Sequence, residues 1–450
     1  MDSHYKILFF LCIFSILYSL FFINIYHYPV LGDGGTYYTY GVNLYNGNGY
    51  SWQKSPPFSQ SNLREPGYPF FIYGVFKVFG ISKSVIQISQ VILNAIIIIA
   101  TYSIANLIFA DKRLSLISGC LTAVSPTIAG YAAFIFSETL AAACLMLLFV
   151  SLFLLFKKQE SIHIIILSAL TGLFCGCLVL TKMTYCLLPL FIGLIILLNP
   201  WNLPYKYKYK IVLCIAVTFI SVLLPWLVFN NNLYGNPLFL TNRGGITIAA
   251  KSERLNWTHR EILISFIYPV SEGLVQRFFP DEYKRITYNP VDGSVFKTVF
   301  DRYDSLISNG YNEMDADKQL RVEAWKRIKR HFLKYTILSI ADFHYMLYFE
   351  GLPLSQFTDF FKRETRLAIN AFFKIYSLLI IFFAVKGGFI MLRKKENAVI
   401  KTAFLLPIFY TFFMYSAIFG APRFTFTIIP FIYILASVSI YEMIKLRMPL

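Results

Sequence analysis

The chain is short of charge. Asp, Glu, Lys and Arg supply 14% of its 450 residues and apolar types supply 57%, against roughly 25% and 45–50% in ordinary globular proteins. So few charges cannot keep that much apolar surface in water, which excludes a string of soluble domains and makes lipid the solvent. Cysteine in polar segments is also missing. Cys12, Cys120, Cys144, Cys175, Cys177, Cys186 and Cys214 all fall inside apolar runs, which excludes a disulfide framework, and Cys175-Gly176-Cys177 lacks zinc-ligand spacing. The six histidines form no His-x-x-x-His pair. There is no Gly-Lys-Ser/Thr, and Gly47-Asn48-Gly49 lacks the third glycine of a dinucleotide loop. No internal repeat, low-complexity tract or heptad is present.

What the chain does have is long apolar runs. A bilayer core of about 30 Å needs about 20 apolar residues of helix at about 1.5 Å each. Runs free of acidic and basic residues are Ile7–Tyr26, Ser84–Ala110, Leu114–Ser137, Thr139–Phe156, Ser161–Thr181, Met183–Asn199, Ile211–Phe229, Thr402–Pro422 and Phe424–Tyr441. Leu367–Leu392 adds a further run carrying only Lys374 and Lys386. The expectation is an all-α polytopic membrane protein with about ten transmembrane helices. The first run has a minimal basic flank and no small-residue cleavage site, so it reads as a span and not as a cleaved signal.

Net charge is +17, and the basic residues of the short loops set orientation. Lys6, Lys112-Arg113, Lys157-Lys158, the Lys206–Lys210 cluster, Arg393-Lys394-Lys395 and Lys445/Arg447 share one side under this topology. Both termini are therefore expected in the cytoplasm. The opposite face holds 27–83, the link at Lys182 and a region over 230–369. This divides the chain into an N-terminal module (1–229), an outer or interfacial region (230–369) and three C-terminal helices (370–450). Phe332–Phe349 contains Lys334, Asp342 and His344. Mid-span charges cost about 2.5–3.5 kcal/mol each, so this segment reads as an amphipathic helix at the interface. Pro66–Gly80, too short to span and carrying Lys77, reads the same way.

The first outer loop concentrates reactive groups. Asp33 lies in Gly32-Asp33-Gly34-Gly35, where bare neighbours leave its carboxylate open to a substrate. Such a group can act as a general base toward a hydroxyl; helix capping before Thr36–Tyr45 is the commoner use of an Asp in this setting. Arg64 precedes Pro66-Gly67-Tyr68-Pro69, at a depth that suits a lipid phosphate or ordinary snorkelling. Glu138, Lys182 and Arg423 stand at span ends on the same face. Ionisable groups at membrane depth are functional candidates, and five from distant parts of the chain converge on one side. The cluster Lys326–Arg330 faces headgroups or solvent instead.

Taken in chain order, these residues resemble the GT-C superfamily of integral-membrane glycosyltransferases, in the branch of the aminoarabinose transferases and protein O-mannosyltransferases. The matching stretches are Gly32-Asp33-Gly34-Gly35, Gly47-Asn48-Gly49-Tyr50, Arg64-Glu65-Pro66-Gly67-Tyr68-Pro69 and Ser137-Glu138-Thr139-Leu140. They continue with Leu180-Thr181-Lys182, Pro225-Trp226…Asn230…Tyr234-Gly235-Asn236-Pro237 and Pro422-Arg423-Phe424.

The resemblance implies a GT-C-like fold and transfer of a sugar from a polyprenyl-phosphate carrier, with inversion, on the outer membrane face. Asp33 is similar to the family's catalytic base. Glu138 resembles a second acid that could orient the acceptor or bind a divalent metal; no cofactor is otherwise implied. Arg64, Lys182, Arg423, Tyr37 and Glu65 would form the donor phosphate- and sugar-binding set. Acceptors in the family are lipids, glycans or proteins, and the Lys-, Ile- and Phe-heavy composition suits a bacterial cytoplasmic (inner) membrane. Three positions depart from the usual pattern: Gly34 stands where many relatives have a second acid, Phe424 where Tyr follows the Arg, and Phe229 where an Arg often precedes Asn230. A multi-span polysaccharide polymerase or ligase, or a lipid-linked sugar transporter or flippase, would share the span count. A transporter is disfavoured by the lack of an inverted repeat, and a polymerase by candidates that lie at span ends and not within the large loop.

Overall fold

A computed structural model describes residues 3–25, 30–157, 161–198, 205–236, 240–241, 243–287, 293–349, 363–393 and 398–447. Every regular element among them is a helix. In chain order these are α1 (Ser3–Ile25), α2 (Gly32–Asn46), α3 (Gly67–Phe79), α4 (Lys83–Phe109), α5 (Lys112–Val124), α6 (Pro126–Tyr131) and α7 (Glu138–Lys157). Next come α8 (Ser161–Thr181), α9 (Leu188–Leu198), α10 (Tyr205–Tyr234), α11 (Gly244–Glu253), α12 (His259–Ile267), α13 (Glu272–Phe278) and α14 (Pro280–Ile286). The last are α15 (Val295–Ser308), α16 (Glu313–Arg330), α17 (Phe332–Met346), α18 (Arg363–Arg393), α19 (Ala398–Ile418) and α20 (Ile429–Arg447). Apolar length makes this an integral membrane protein.

Among the described residues eight helices, not ten, are long and apolar enough to cross a bilayer. The run Leu114–Ser137 is broken at Ser125-Pro126. A residue before proline is pushed out of the helical region; Ser125 is extended at ψ 117° and its hydroxyl caps Ile128 N at 3.3 Å. Met183–Asn199 likewise divides into a 3-10 turn, Met183–Tyr185, and the eleven-residue α9; Asn199 itself lies outside the described residues. Hydropathy counts apolar residues and does not register the break.

The last turn of α6 and the non-helical residues after it, through Phe134, keep their carbonyls satisfied through the polar face of α4. Asn94 Nδ2 donates to Ile128 O (2.9 Å), Gln87 Nε2 to Ala133 O (2.7 Å), and Gln90 Nε2 to Ala132 O (3.1 Å) and Phe134 O (2.7 Å). Lipid offers no such partners, so non-helical backbone at this depth needs protein ones. Elsewhere small residues let helices touch. A Cβ on Gly172 of α8 would lie 2.4 Å from Ile215 O of α10, and one on Gly387 of α18 only 1.9 Å from Leu435 O of α20. α20 packs against α18, α5 and α4 and is the most enclosed of the long helices.

Helices α11 to α17 gather around a second core that includes Ile246, Trp257, Val299, Leu320 and Phe419. A buried ion triad ties this lobe to α17 and to the end of α19. Asp342 of α17 accepts from Lys251 Nζ at 2.6 Å and Arg254 Nη1 at 2.7 Å, and Lys251 also donates to Ser416 O at 2.7 Å. The Asp342 charge that argued against membrane burial is therefore met inside the protein. Burial pushes Lys251 down to about 8, with Asp342 opposing and Arg254 adding to the shift.

The unfolded lysine titrates near about 10.4, so between pH 8 and that value the native state binds fewer protons than the unfolded chain. Stability from this group therefore rises with pH across the window, and its burial cost is full below it. Lys251→Met, which keeps Asp342 paired with Arg254, should flatten the rise of unfolding temperature between pH 8 and 10. An unchanged slope would show that Lys251 does not titrate there.

Candidate active site

The end of the bundle that bears the loop after α1 collects the candidate side chains. The helix expected over Thr36–Tyr45 begins earlier, at Gly32 (φ +56°), with Leu31 at its N-cap. Asp33 therefore sits inside the first turn and caps nothing; its carboxylate turns toward arginines. Arg64 Nη2 donates to Asp33 Oδ1, Arg423 Nη1 lies 3.1 Å from Oδ2, and Arg243 Nη2 lies 3.5 Å from Oδ1. Burial pushes the Asp33 carboxyl up, and Arg64, Arg243 and Arg423 together outweigh it, holding it well below the usual carboxylate range.

Each cation is fixed by its own surroundings. Arg64 is buried, its guanidinium 5.1 Å over the Tyr37 ring, and its carbonyl accepts from Tyr50 OH at 3.0 Å. Tyr50 in turn stacks on Tyr40 and meets Trp226 edge-on. Arg423 lies 5.0 Å over Phe424, which stacks flat on Tyr415 with centroids 4.5 Å apart. Arg243 precedes α11, whose first amides are held by the buried Asp317: Gly245 N donates to Oδ1 at 2.6 Å and Ile246 N at 3.2 Å. Gly245 is bare because a Cβ there would meet Asp317 O at 1.9 Å.

Beside this cluster lies a second pair. Glu138 opens α7, and its Oε1 accepts from Lys182 Nζ at 2.9 Å. Ser137 Oγ is 3.5 Å from Tyr37 OH, joining the pair to the Asp33 side. Lys182 follows the end of α8, and Gly67 explains how the Pro-rich loop reaches it: a Cβ there would lie 2.5 Å from Thr181 Oγ1. Burial lowers the tendency of Lys182 to stay charged, but Glu138 and Tyr37 more than offset this and raise its pKa.

Six of the seven residues singled out from sequence thus meet at one place: Asp33, Tyr37, Arg64, Glu138, Lys182 and Arg423. The seventh, Glu65, is half-buried beside them: its charge acts on Arg64, Tyr37 and Tyr415, with no direct ion pair or hydrogen bond among the described residues. Sequence reasoning missed Arg243. Its signal was slight, an arginine before Gly244-Gly245 in a long polar region where charge is unremarkable. The set does not fit a divalent cation. Asp33 faces three guanidiniums and Glu138 an ammonium, and no group of three His, Cys, Asp or Glu side chains converges among the described residues.

Residues 61–229 match the family model described as dolichyl-phosphate-mannose-protein mannosyltransferase. That segment is less than half of the chain, and over it the chain is similar to this family. No curated protein matches it. Among solved structures it is similar to the Archaeoglobus fulgidus oligosaccharyltransferase in the apo form, at 13% identity and TM-score 0.48 over 98% of this chain and 51% of that one. It is also similar to ArnT from Cupriavidus metallidurans bound to undecaprenyl phosphate, at 11% identity and TM-score 0.45 over 98% of this chain and 79% of that one. The chain thus spans about half the length of the oligosaccharyltransferase.

Removing the Glu138 carboxylate leaves Lys182 buried without a counter-charge, a change that costs about 3–5 kcal/mol. Glu138→Gln should lower the unfolding temperature in detergent accordingly, and adding Lys182→Met should recover most of the loss. A single variant as stable as the native chain would mean that Lys182 is neutralised otherwise.

Proposed function

We propose that this protein transfers a sugar from a polyprenyl-phosphate donor to a hydroxyl on a lipid, glycan or protein acceptor, at the outer face of a bacterial cytoplasmic membrane. The observation that carries the reading is one carboxylate, Asp33, set among Arg64, Arg243 and Arg423. Its support is the related segment, whose family description is of a prenyl-phosphate-sugar enzyme. Residues 1–229 serve as the catalytic module, 230–369 as an outer lobe that contributes Arg243, and 370–450 as the helices that contribute Arg423. Both termini face the cytoplasm, as the basic short loops require.

In the reaction the acceptor oxygen attacks the anomeric carbon while Asp33 takes its proton. The new C–O bond forms as the bond from that carbon to the phosphate oxygen breaks, so the configuration inverts. The electron pair leaves with the polyprenyl phosphate. Expelling a phosphate calls for fixed cations where negative charge grows and for no further acid. Arg64, Arg243 and Arg423 supply them, with Lys182 adjacent and Glu138 keeping that lysine charged. Tyr37 and Glu65 line the donor side. A lipid-borne donor also accounts for a sugar-transferring enzyme built almost wholly of apolar helices.

Purified protein supplied with a polyprenyl-phosphate sugar and candidate acceptors should release free polyprenyl phosphate. Asp33→Asn should lower the rate by at least about 10²–10⁴, the range of a lost general base. A folded Asp33→Asn variant with native turnover would remove the mechanism. Arg64→Ala should weaken donor affinity, and native affinity in that variant would remove its phosphate role.

A further inference from the structure

The resting site poses a conflict that the chemistry has to resolve. Asp33 Oδ1 meets Arg64 and Arg243 and Oδ2 meets Arg423, so three cations hold the carboxylate in its charged form and make it a weak base. The same three cations are all turned to that one anion, so a donor phosphate has to compete with the carboxylate for them. Both difficulties disappear if the two anions exchange.

We infer that Asp33 is an internal stand-in for the donor's phosphate, which takes Arg64, Arg243 and Arg423 from the carboxylate on binding and thereby frees the base. The inference rests on the sugar-transfer reading above and adds an order to it: donor first, then proton abstraction.

The geometry favours movement of the carboxylate and not of the cations. Arg64 is pinned by Tyr37 and Tyr50, Arg423 by Phe424, and Arg243 by the Asp317-held start of α11. Asp33 has two rotatable bonds and a glycine on each side. Access is graded as well: the side chains of Arg423 and Arg243 are 38% and 26% exposed and that of Arg64 only 7%. A phosphate arriving from the open rim meets Arg423 and Arg243 first and Arg64 last. Its oxygens present the paired acceptors that guanidinium forks bind best.

The exchange also works in reverse. Once Asp33 has taken the acceptor's proton it is neutral and cannot compete for the arginines. The polyprenyl phosphate product is held until that proton passes to water, when the carboxylate recaptures its partners and the product leaves.

The probe is sugar-free polyprenyl phosphate, titrated onto the full chain in detergent or nanodiscs for the native protein, Asp33→Asn and Asp33→Ser. If an internal anion competes, apparent affinity is reduced by the fraction of molecules in which the cations are free. Both neutral variants should therefore bind more tightly, by about tenfold for a site clamped about 90% of the time. They should also show a larger ligand-induced rise in unfolding temperature than the native chain. Because three unopposed guanidiniums burden the fold, the serine variant stands in where the asparagine one is not monodisperse. Unchanged or weaker binding in a folded variant overturns the exchange and leaves the transfer reading standing. A native chain that binds no polyprenyl phosphate overturns the transfer reading instead.

Discussion

Three guanidiniums near one another repel, and in a site partly shielded from water that repulsion is poorly screened. Here Arg64 comes from the first loop, Arg243 from the start of α11 and Arg423 from the turn before α20, and the Asp33 carboxylate between them makes their meeting tolerable. The arrangement depends on that anion, and much of the surrounding structure serves to bring the three cations to it. The first loop is held by Tyr50 against Tyr40 and Trp226, the α19–α20 turn by Phe424 against Tyr415, and α11 by Asp317.

A second constraint is the cost of polar backbone in lipid. The chain leaves the helical path after α6, over residues 132–137, and this bend brings Glu138 to the site end of the bundle. The departure is stable because Gln87, Gln90 and Asn94 on α4 accept the job of hydrogen bonding its carbonyls. The same logic governs the lobe formed by α11 to α17. Asp342, Lys251 and Arg254 are buried together, and Gly420 packs directly on Asp342. The triad thus lies under the turn that presents Arg423.

Much of the site was legible because charge is scarce in this chain. Asp33, Arg64, Glu138, Lys182 and Arg423 stood out as ionisable groups in the first loop or at span ends, where desolvation makes an idle charge expensive. Arg243 did not, since it lies in a polar region where charge is cheap and carries no information. The capping alternative for Asp33 does not hold: Gly32, at positive φ, starts the helix one residue before it. The run Leu114–Ser137 read as one span because its composition is uniform, although Ser125-Pro126 held the local clue to the break.

From the sequence alone came the solvent, the helical class, the segments apolar enough to cross it and a short list of candidate charges. These are local properties, since hydropathy and helix rise are summed residue by residue. The tertiary structure decided which charges neutralise which, that Arg243 joins them, and that two apolar runs are each broken into shorter helical pieces. Those facts depend on how helix ends from the first loop, the lobe of α11 to α17 and the last turn are brought to a common point. Coulomb interaction acts through that distance in space and not through separation along the chain.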